Sequence, residues 1–463
     1  MQAQAGGTRE HRSDRLPAPP SRPDHAPSRE STSDTPVQGG MFSSLRVRNY
    51  RTYAAGNLVS NLGTWMQRIA QDWLVLVLTD HNPVALGIAA ALQFAPTILL
   101  SLWAGVLADR LDKRKLLIAV QIGLASCALA LGVLDITGQV ELWHVYVLCV
   151  AVGVFFAVEV PVRQSFVAEI VGRSQVTNAV ALNATGFNLA RVIGPAVAGI
   201  MIVLIGTGWL FIANGVMTLA VVVGLLLMRA GELHPSPKIP RRKGQLVEGL
   251  RYVRKRPDII VVLVLVFFVS TFGMTFFVTL AVVASKVFGR DADGYGLLST
   301  ALAIGTLGGA LLAARRSRNG RPRTRVLLGA AFSFGVLEIT VGLMPTYTAF
   351  AIALVPVGVA LMTFMTTANS TVQLAVAPEM RGRVMGLYML VFLGGNPIGA
   401  PMVGWMAAEW GPRSPIYVGG AVAALTAVVC GVVLIRRGGV KLPVTKWGRS
   451  HILRRDRRGL PVK

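Results

Sequence analysis

The chain has 463 residues, of which 53% are hydrophobic and only 15% are charged, and its mean hydropathy is +0.57. A soluble domain carries about a quarter charged residues, so this composition excludes an ordinary water-soluble globule and points to a chain solvated mostly by lipid. The net charge of +24 would suit nucleic acid only if the bases lay on a soluble surface. They cluster instead between apolar runs and in the C-terminal tail, so nucleic acid is not an expected partner.

Residues 1–40 are rich in Pro, Ser, Asp and Arg and nearly lack large apolar side chains. They read as a disordered cytoplasmic tail, not a signal peptide, because no apolar central region exists. Met41 opens "MFSSLRVRNYRTYAAGN", where structure is expected to begin, and is a second candidate start. Twelve apolar runs follow, near 52–78, 83–107, 115–135, 142–163, 177–205, 208–229, 258–284, 293–314, 324–344, 347–376, 384–407 and 414–435. Each is long enough to cross about 30 Å of hydrocarbon at about 1.5 Å per residue. The predicted fold is therefore all-α and integral to the membrane.

The charges between the runs alternate. "DRLDKRK", "PRRKGQLVEGLRYVRKRP", "RRSRNGRPRTR" and the tail 436–463 are basic, whereas "TDHNP", "IGTGW" and "MPTYT" hold no Lys or Arg. Lys and Arg favour the cytoplasmic side, so both termini are expected there, with the chain as a multi-pass protein of the bacterial inner membrane. The longest connection, 230–257, separates six runs (41–229) from six (258–435). Within it Leu246, Val247, Leu250 and Val253 share one helical face flanked by Arg251, Arg254 and Lys255. That pattern predicts an amphipathic helix on the cytoplasmic surface, with a solvated basic linker as the plainer alternative.

The halves echo one another. "IGPAVAG" in the fifth run spaces Gly194 and Gly199 five apart, and "IGAPMVG" in the eleventh spaces Gly399 and Gly404 likewise. Two pseudo-symmetric six-helix halves place a substrate site between them near the bilayer midplane.

"GVLADRLDKRK" resembles the cytoplasmic loop signature of the major facilitator superfamily, matched at Gly105, Leu107, Asp109, Arg110 and Arg114, with Asp112 standing where glycine is usual. "ARVIGPAVAG", with Gly194, Pro195 and Gly199, resembles that superfamily's helix-five antiporter signature, Ala190 and Ala198 replacing glycines. "PVRQSFVAEIV" and "PEMRGRVMGLYMLVFLGGNPIG" look like the branch containing the enterobactin exporter and bacterial drug-efflux permeases. The resemblance spans about residues 41–435. It implies the twelve-helix fold of that superfamily. It also implies a gating role for Asp109, which would contact the eleventh helix or a loop base such as Arg114 when the cytoplasmic side is closed. A cationic topology anchor explains the bases but not the acid. Pro195 removes a backbone donor and can bend its helix, so the helix-five element reads either as a seal between halves or as ordinary small-residue packing.

Charged residues inside the runs are the candidates for coupling or substrate binding, since each costs about 2.5–3.5 kcal/mol at the membrane centre on insertion scales. Arg68 and Asp72 are four apart, on one helical face. Asp72 is the first proton-coupling candidate, its charged form favoured by Arg68; a static ion pair is the alternative. Glu159 and Arg163 repeat the spacing around Pro161, as a cytoplasmic gate or an interfacial pair. Arg191 has no acid one turn away and is expected to meet an acid of another helix or an anionic substrate. Glu338 is the second proton candidate, or an acid satisfied by a neighbouring helix. Asn57, Asn61, Asn369 and Gln373 either line a pathway or bridge helices, and Trp65, Phe94, Phe272, Phe276 and Phe364 are candidate cavity walls.

The cysteines Cys127, Cys149 and Cys430 show no paired spacing, so no disulfide or metal site is expected, and no cofactor. Neither a GxxxxGK[ST] loop nor HExxH or GxSxG occurs, which disfavours ATP drive and an enzyme. The expected function is secondary export of small amphipathic drugs or metabolites by a monomer, in exchange for protons. The alternatives are a siderophore exporter, for whose anionic cargo Arg68 and Arg191 should face the cavity, or an importer or lipid flippase of the same fold.

Overall fold

The computed structural model describes residues 40, 42–172, 174–234, 245–317 and 324–436; the predicted tails 1–40 and 436–463, apart from Gly40 and Arg436, and the middle of the linker lie outside these. Six long helices come first: α1 (Arg48–Leu78), α2 (Pro83–Arg110), α3 (Lys113–Ile136), α4 (Leu142–Val171), α5 (Val176–Ile205) and α6 (Thr207–Leu226). The short linker helix α7 (Gln245–Arg254) leads to α8 (Pro257–Met274) and α9 (Phe276–Val282), which with a π-helical turn (Val283–Val287) make one span. Then come α10 (Ala292–Ser317), α11 (Thr324–Gly342), α12 (Tyr347–Ala375), α13 (Pro378–Glu409) and α14 (Ser414–Arg436).

Eleven of these spans are long and apolar enough to cross a membrane by composition alone. The twelfth is α1, whose 31 residues carry Arg68, Asp72 and a set of Asn and Gln side chains. Its polarity has a structural reason, given below. The seventh predicted run, 258–284, is not one smooth helix. At the break, the Thr275 hydroxyl donates to the carbonyls of Thr271 (2.7 Å) and Phe272 (3.0 Å), the kind of back-bonding that bends helices.

The halves repeat one packing scheme. In the first, α1 packs on α5 and α6, α2 on α4, and α3 on α6; in the second, α8 packs on α13 and α14, α10 on α12, and α11 on α14. The halves meet along α2 against α13 and α5 against α10. Asn49 at the start of α1 exchanges two 3.0 Å hydrogen bonds with the backbone of Arg229, past α6. The start of α1 therefore lies at the linker end of the bundle, and Asp72 lies toward the opposite end.

The paired glycines divide their work in the same way in both halves. Gly194 packs inside its own half, where an added Cβ would meet Trp65 Cβ at 2.6 Å, while Gly199 faces the other half, where an added Cβ would come 2.7 Å from the Ala292 carbonyl oxygen. Gly399 packs inside its half against Thr271, and Gly404 reaches across to Pro83 and Val84. Only a residue without Cβ lets these backbones approach so closely.

α7 packs against α13, with Glu248 paired to Arg383 at 2.8 Å. Val253 is buried, whereas Leu250 points outward at 49% exposure; Leu246 and Val247 lie outside the side chains described.

Candidate functional site

One side of α1 is polar because it walls a cavity of about 410 Å³, within the range of sites for drug-sized ligands. Asn57, Ser60, Asn61, Thr64, Trp65, Gln67, Arg68 and Gln71 of α1 line it. Gln93, Phe94 and Thr97 come from α2, Gln121 from α3, Phe156, Glu159 and Arg163 from α4, Phe187 from α5, and Asn214 and Thr218 from α6. The second half contributes Met389 and Leu393 of α13. The site is thus lopsided, held mostly by the first half, where a position shared by both halves was expected.

The predicted Arg68–Asp72 ion pair does not form. Asp72 accepts a 2.7 Å hydrogen bond from the Tyr295 hydroxyl of α10, across the two halves. Arg68 instead stacks its guanidinium over Phe94 (5.4 Å) and over Phe277 of α9 (5.1 Å). The physical reason is competition: the phenol offers the buried carboxylate a direct donor, and the guanidinium is content over two aromatic faces. Asp72 lies just past the last lining residue of α1, so the cavity stops where the halves join.

Glu159 and Arg163 do pair, at 3.3 Å, and α4 runs unbroken through Pro161. Gln121 donates to the same Glu159 oxygen at 3.4 Å, while the other oxygen, Oε2, is buried without a partner. Arg191 is not on the lining; it stacks over the indole of Trp65 at 5.5 Å from behind, its Nε also unpartnered. Glu338 is buried inside the second half beside Phe272 and Gly419, away from the cavity. Of Arg68, Asp72, Arg191 and Glu338, only Arg68 reaches the cavity wall.

The loop signature is resolved in part. Arg114 donates to the carbonyls of Leu225 (2.7 Å) and Leu226 (3.0 Å), so it caps α6 and is spent there. The unusual Asp112 is the N-cap of α3, accepting from the Lys115 amide at 3.1 Å. Lys113 pairs with Glu169 of α4 at 2.5 Å. Arg110 is exposed at the end of α2, whereas the surroundings of Gly105 and the side chain of Asp109 lie outside those described.

Among the neutral candidates, Asn57, Asn61, Trp65 and Phe94 line the cavity. Phe272, Phe276 and Phe364 are buried in the second half's core, and Gln373 donates to Asn369 at 2.7 Å. Sequence reading missed Tyr295 and Phe277, which act across halves, and the lone amides Gln93, Gln121 and Asn214. Single amides in otherwise apolar runs were the available signal for the last three; Asn214 donates to Gln67 in the cavity wall.

Twelve spans in two repeated halves around such a cavity define a major facilitator superfamily transporter, not an enzyme, and a multi-pass membrane protein. The chain belongs to the family described as transmembrane secretion effector, whose sequence profile matches residues 39–449. It is 27% identical over 362 residues to the multidrug efflux pump Tap of Mycolicibacterium fortuitum, covering 76% of this chain and 87% of Tap. It is 25% identical over 369 residues to the enterobactin exporter EntS of Shigella boydii, covering 77% of this chain and 84% of EntS. It is 28% identical over 248 residues to the staphyloferrin A transporter of Staphylococcus aureus, covering 53% of this chain and only 61% of that protein. A bacterial Spinster homologue solved inward-facing and unoccupied superposes with a TM-score of 0.64 at 16% identity, over 84% of this chain and 95% of that one. The nucleoside transporter NupG superposes at 0.66 and 12% identity, over 83% and 99%; both show the fold alone.

Proposed function

We propose that this chain exports small amphipathic drugs or metabolites by alternating access, in exchange for protons. The observation that carries the reading is a cavity that ends at an interhalf seal, the Asp72–Tyr295 bond, at the end of the bundle away from the linker. The distribution of Lys and Arg favours a cytoplasmic linker and cytoplasmic termini. In that orientation the seal closes the outer side, and cargo loads from the cytoplasm or inner leaflet. The name of Tap supports export.

Asp72 is the proposed proton site. When the seam opens outward, water reaches Asp72 and it takes a proton. When the seam recloses, Tyr295 donates to the carboxylate again and the proton leaves toward the cavity. One proton moving down about 150 mV supplies about 3.5 kcal/mol, enough for a gradient of about three-hundredfold in a neutral solute. The helix-five glycines act in the seal, and Asp109 and Arg110 act at the inner end of α2. The chain works as a monomer.

A siderophore cargo is the second reading, favoured by the Arg68 guanidinium on the lining and by the names of EntS and the staphyloferrin A transporter. The test is energised dye uptake into inverted vesicles containing the full chain. Uptake abolished by a protonophore and by Asp72→Asn is expected. Uptake insensitive to both removes proton exchange through Asp72, and accumulation only in right-side-out vesicles reverses the direction.

A further inference from the structure

The charges on the cavity wall do not balance. Three charged residues line it: Arg68, Glu159 and Arg163. Glu159 and Arg163 cancel as a pair 3.3 Å apart. Arg68 is absent from the described ion pairs; its Nε is buried without a hydrogen-bond partner. Stacking between Phe94 and Phe277 stabilises the cation's plane but spends none of its in-plane N–H donors. The acid one turn along, Asp72, is turned to Tyr295 and does not neutralise it by contact. Arg191, behind Trp65, adds a second positive charge to the field without reaching the lining. A half-buried guanidinium with unspent donors, set among aromatic side chains, is a seat for a carboxylate or phenolate attached to a ring.

The opposite sign is present too, but in another place. Glu159 lines the same wall, but Arg163 and Gln121 hold its Oε1 and its Oε2 is buried, so a second negative charge on the cargo would find no unpaired cation among the described lining residues. We propose that the cavity selects compounds bearing a single anionic group on an aromatic body, the anion held by Arg68 and the ring by Trp65 and Phe94, with Arg163 kept from a second negative charge by its pairing to Glu159. This rests on the reading of the cavity as the transport site, and it narrows that reading: monoanions are cargo, whereas polyanionic chelators and cationic dyes are disfavoured.

The test is calorimetric binding to the purified full chain of four probes that share one ring system: naphthoate, naphthamide, naphthylmethylammonium and naphthalene dicarboxylate. Naphthoate is expected to bind about tenfold or more tighter than each of the others, the scale of one charge-assisted hydrogen bond. Arg68→Gln is expected to abolish the preference for naphthoate over naphthamide, and Arg68→Lys to restore part of it. Glu159→Gln, which frees Arg163, is expected to raise dicarboxylate affinity about tenfold. Equal binding of naphthoate and naphthamide by the wild type, tighter binding of the cation or the dianion, or no naphthoate binding at its solubility limit overturns the proposal. If Arg68→Gln does not fold, the wild-type order and Arg68→Lys still decide. Uptake of the same probes into inverted vesicles separates the two readings. Selective binding of naphthoate without uptake leaves the selectivity standing and sinks export; preferential uptake of the cation does the reverse.

Discussion

The Tyr295 hydroxyl donates a 2.7 Å hydrogen bond to Oδ2 of Asp72, tying α10 of the second half to α1 of the first. Both residues are buried. Around them the halves touch through backbone: Gly199 against Ala292, Gly296 against Pro195, and Gly404 against Pro83. A seam of close backbone contacts has little tolerance for intermediate separations, because packed surfaces without side chains either meet or do not. The single polar bond adds specificity. When the seam parts, both groups must be rehydrated or left unsatisfied, which costs about 1–3 kcal/mol. The result is a two-state joint of the kind alternating access requires.

Tyr295→Phe and Asp72→Asn should therefore separate. The phenylalanine keeps the packing and removes the bond, destabilising the closed seam by about 1–2 kcal/mol, a shift of about five- to thirtyfold toward the state in which this seam is open. The asparagine keeps an oxygen that accepts from Tyr295 but removes the titratable group. A cysteine placed at Gln71, at the end of the cavity next to Asp72, reports the difference through labelling by an impermeant maleimide added from the side of the membrane that the proposed orientation makes periplasmic. Faster labelling is expected in Tyr295→Phe and wild-type labelling in Asp72→Asn, with transport lost in the latter. Equal labelling of all three would show that the bond does not hold the seam.

Gly296 is the most restrictive point of that seam. A Cβ added there would fall far inside contact of the Pro195 carbonyl and within 3.2 Å of the Gly199 nitrogen, both backbone atoms that cannot swing away. Gly296→Ala should prop the seam apart, raising labelling of the same Gln71→Cys reporter to a plateau that Tyr295→Phe does not exceed. Gly329, where an added Cβ meets nothing within 4 Å, is the control: Gly329→Ala should label like wild type.

Much of this architecture was legible in the sequence. The apolar runs marked the spans, the long connection marked the halves, and the Gly194/Gly199 and Gly399/Gly404 spacing marked two related helices. The polar face of α1 was readable as a candidate wall because amides and charges recur on it. Pairing across halves was not legible. Asp72 and Tyr295 are 223 positions apart, and the spacing of Arg68 and Asp72 pointed to a local partner that the phenol displaced. The break at Thr275 was hidden because threonine hydroxyls bonding back to the preceding turn leave no mark in an apolar count. The lopsided cavity was equally hidden: Asn369 and Gln373 look like wall residues, yet they satisfy each other.

The Glu159–Arg163 pair permits a double-mutant test of burial. Glu159 is only 4% exposed in its side chain and Arg163 26%. Breaking a buried pair by removing one partner costs about 3–5 kcal/mol, whereas removing both charges is often close to neutral. Partial exposure of Arg163 puts this site at or below the lower end. Arg163→Gln should lower the thermal midpoint of the purified chain, and Glu159→Gln added to it should recover most of the loss. A double variant less stable than either single one would mean that the pair is not the unit that matters.

Asp112 gives a prediction on stability from a departure in the loop signature. Its carboxylate accepts from the Lys115 amide at 3.1 Å and starts α3, immediately before Lys113 joins α4 through Glu169. Asp112→Ala removes the cap and should cost about 1 kcal/mol, while Asp112→Gly, the residue more usual in the resembled pattern, should cost only a few tenths, roughly 0.3 kcal/mol. Aspartate at the start of a helix also gains from the positive end of the helix dipole, so the loss in Asp112→Asn should be smaller than in Asp112→Ala and should shrink further at high salt. Thermal midpoints of the four proteins in detergent at low and high salt provide the check. The order expected is wild type, then Gly and Asn together, then Ala; an alanine variant as stable as wild type would show that α3 is started by packing alone.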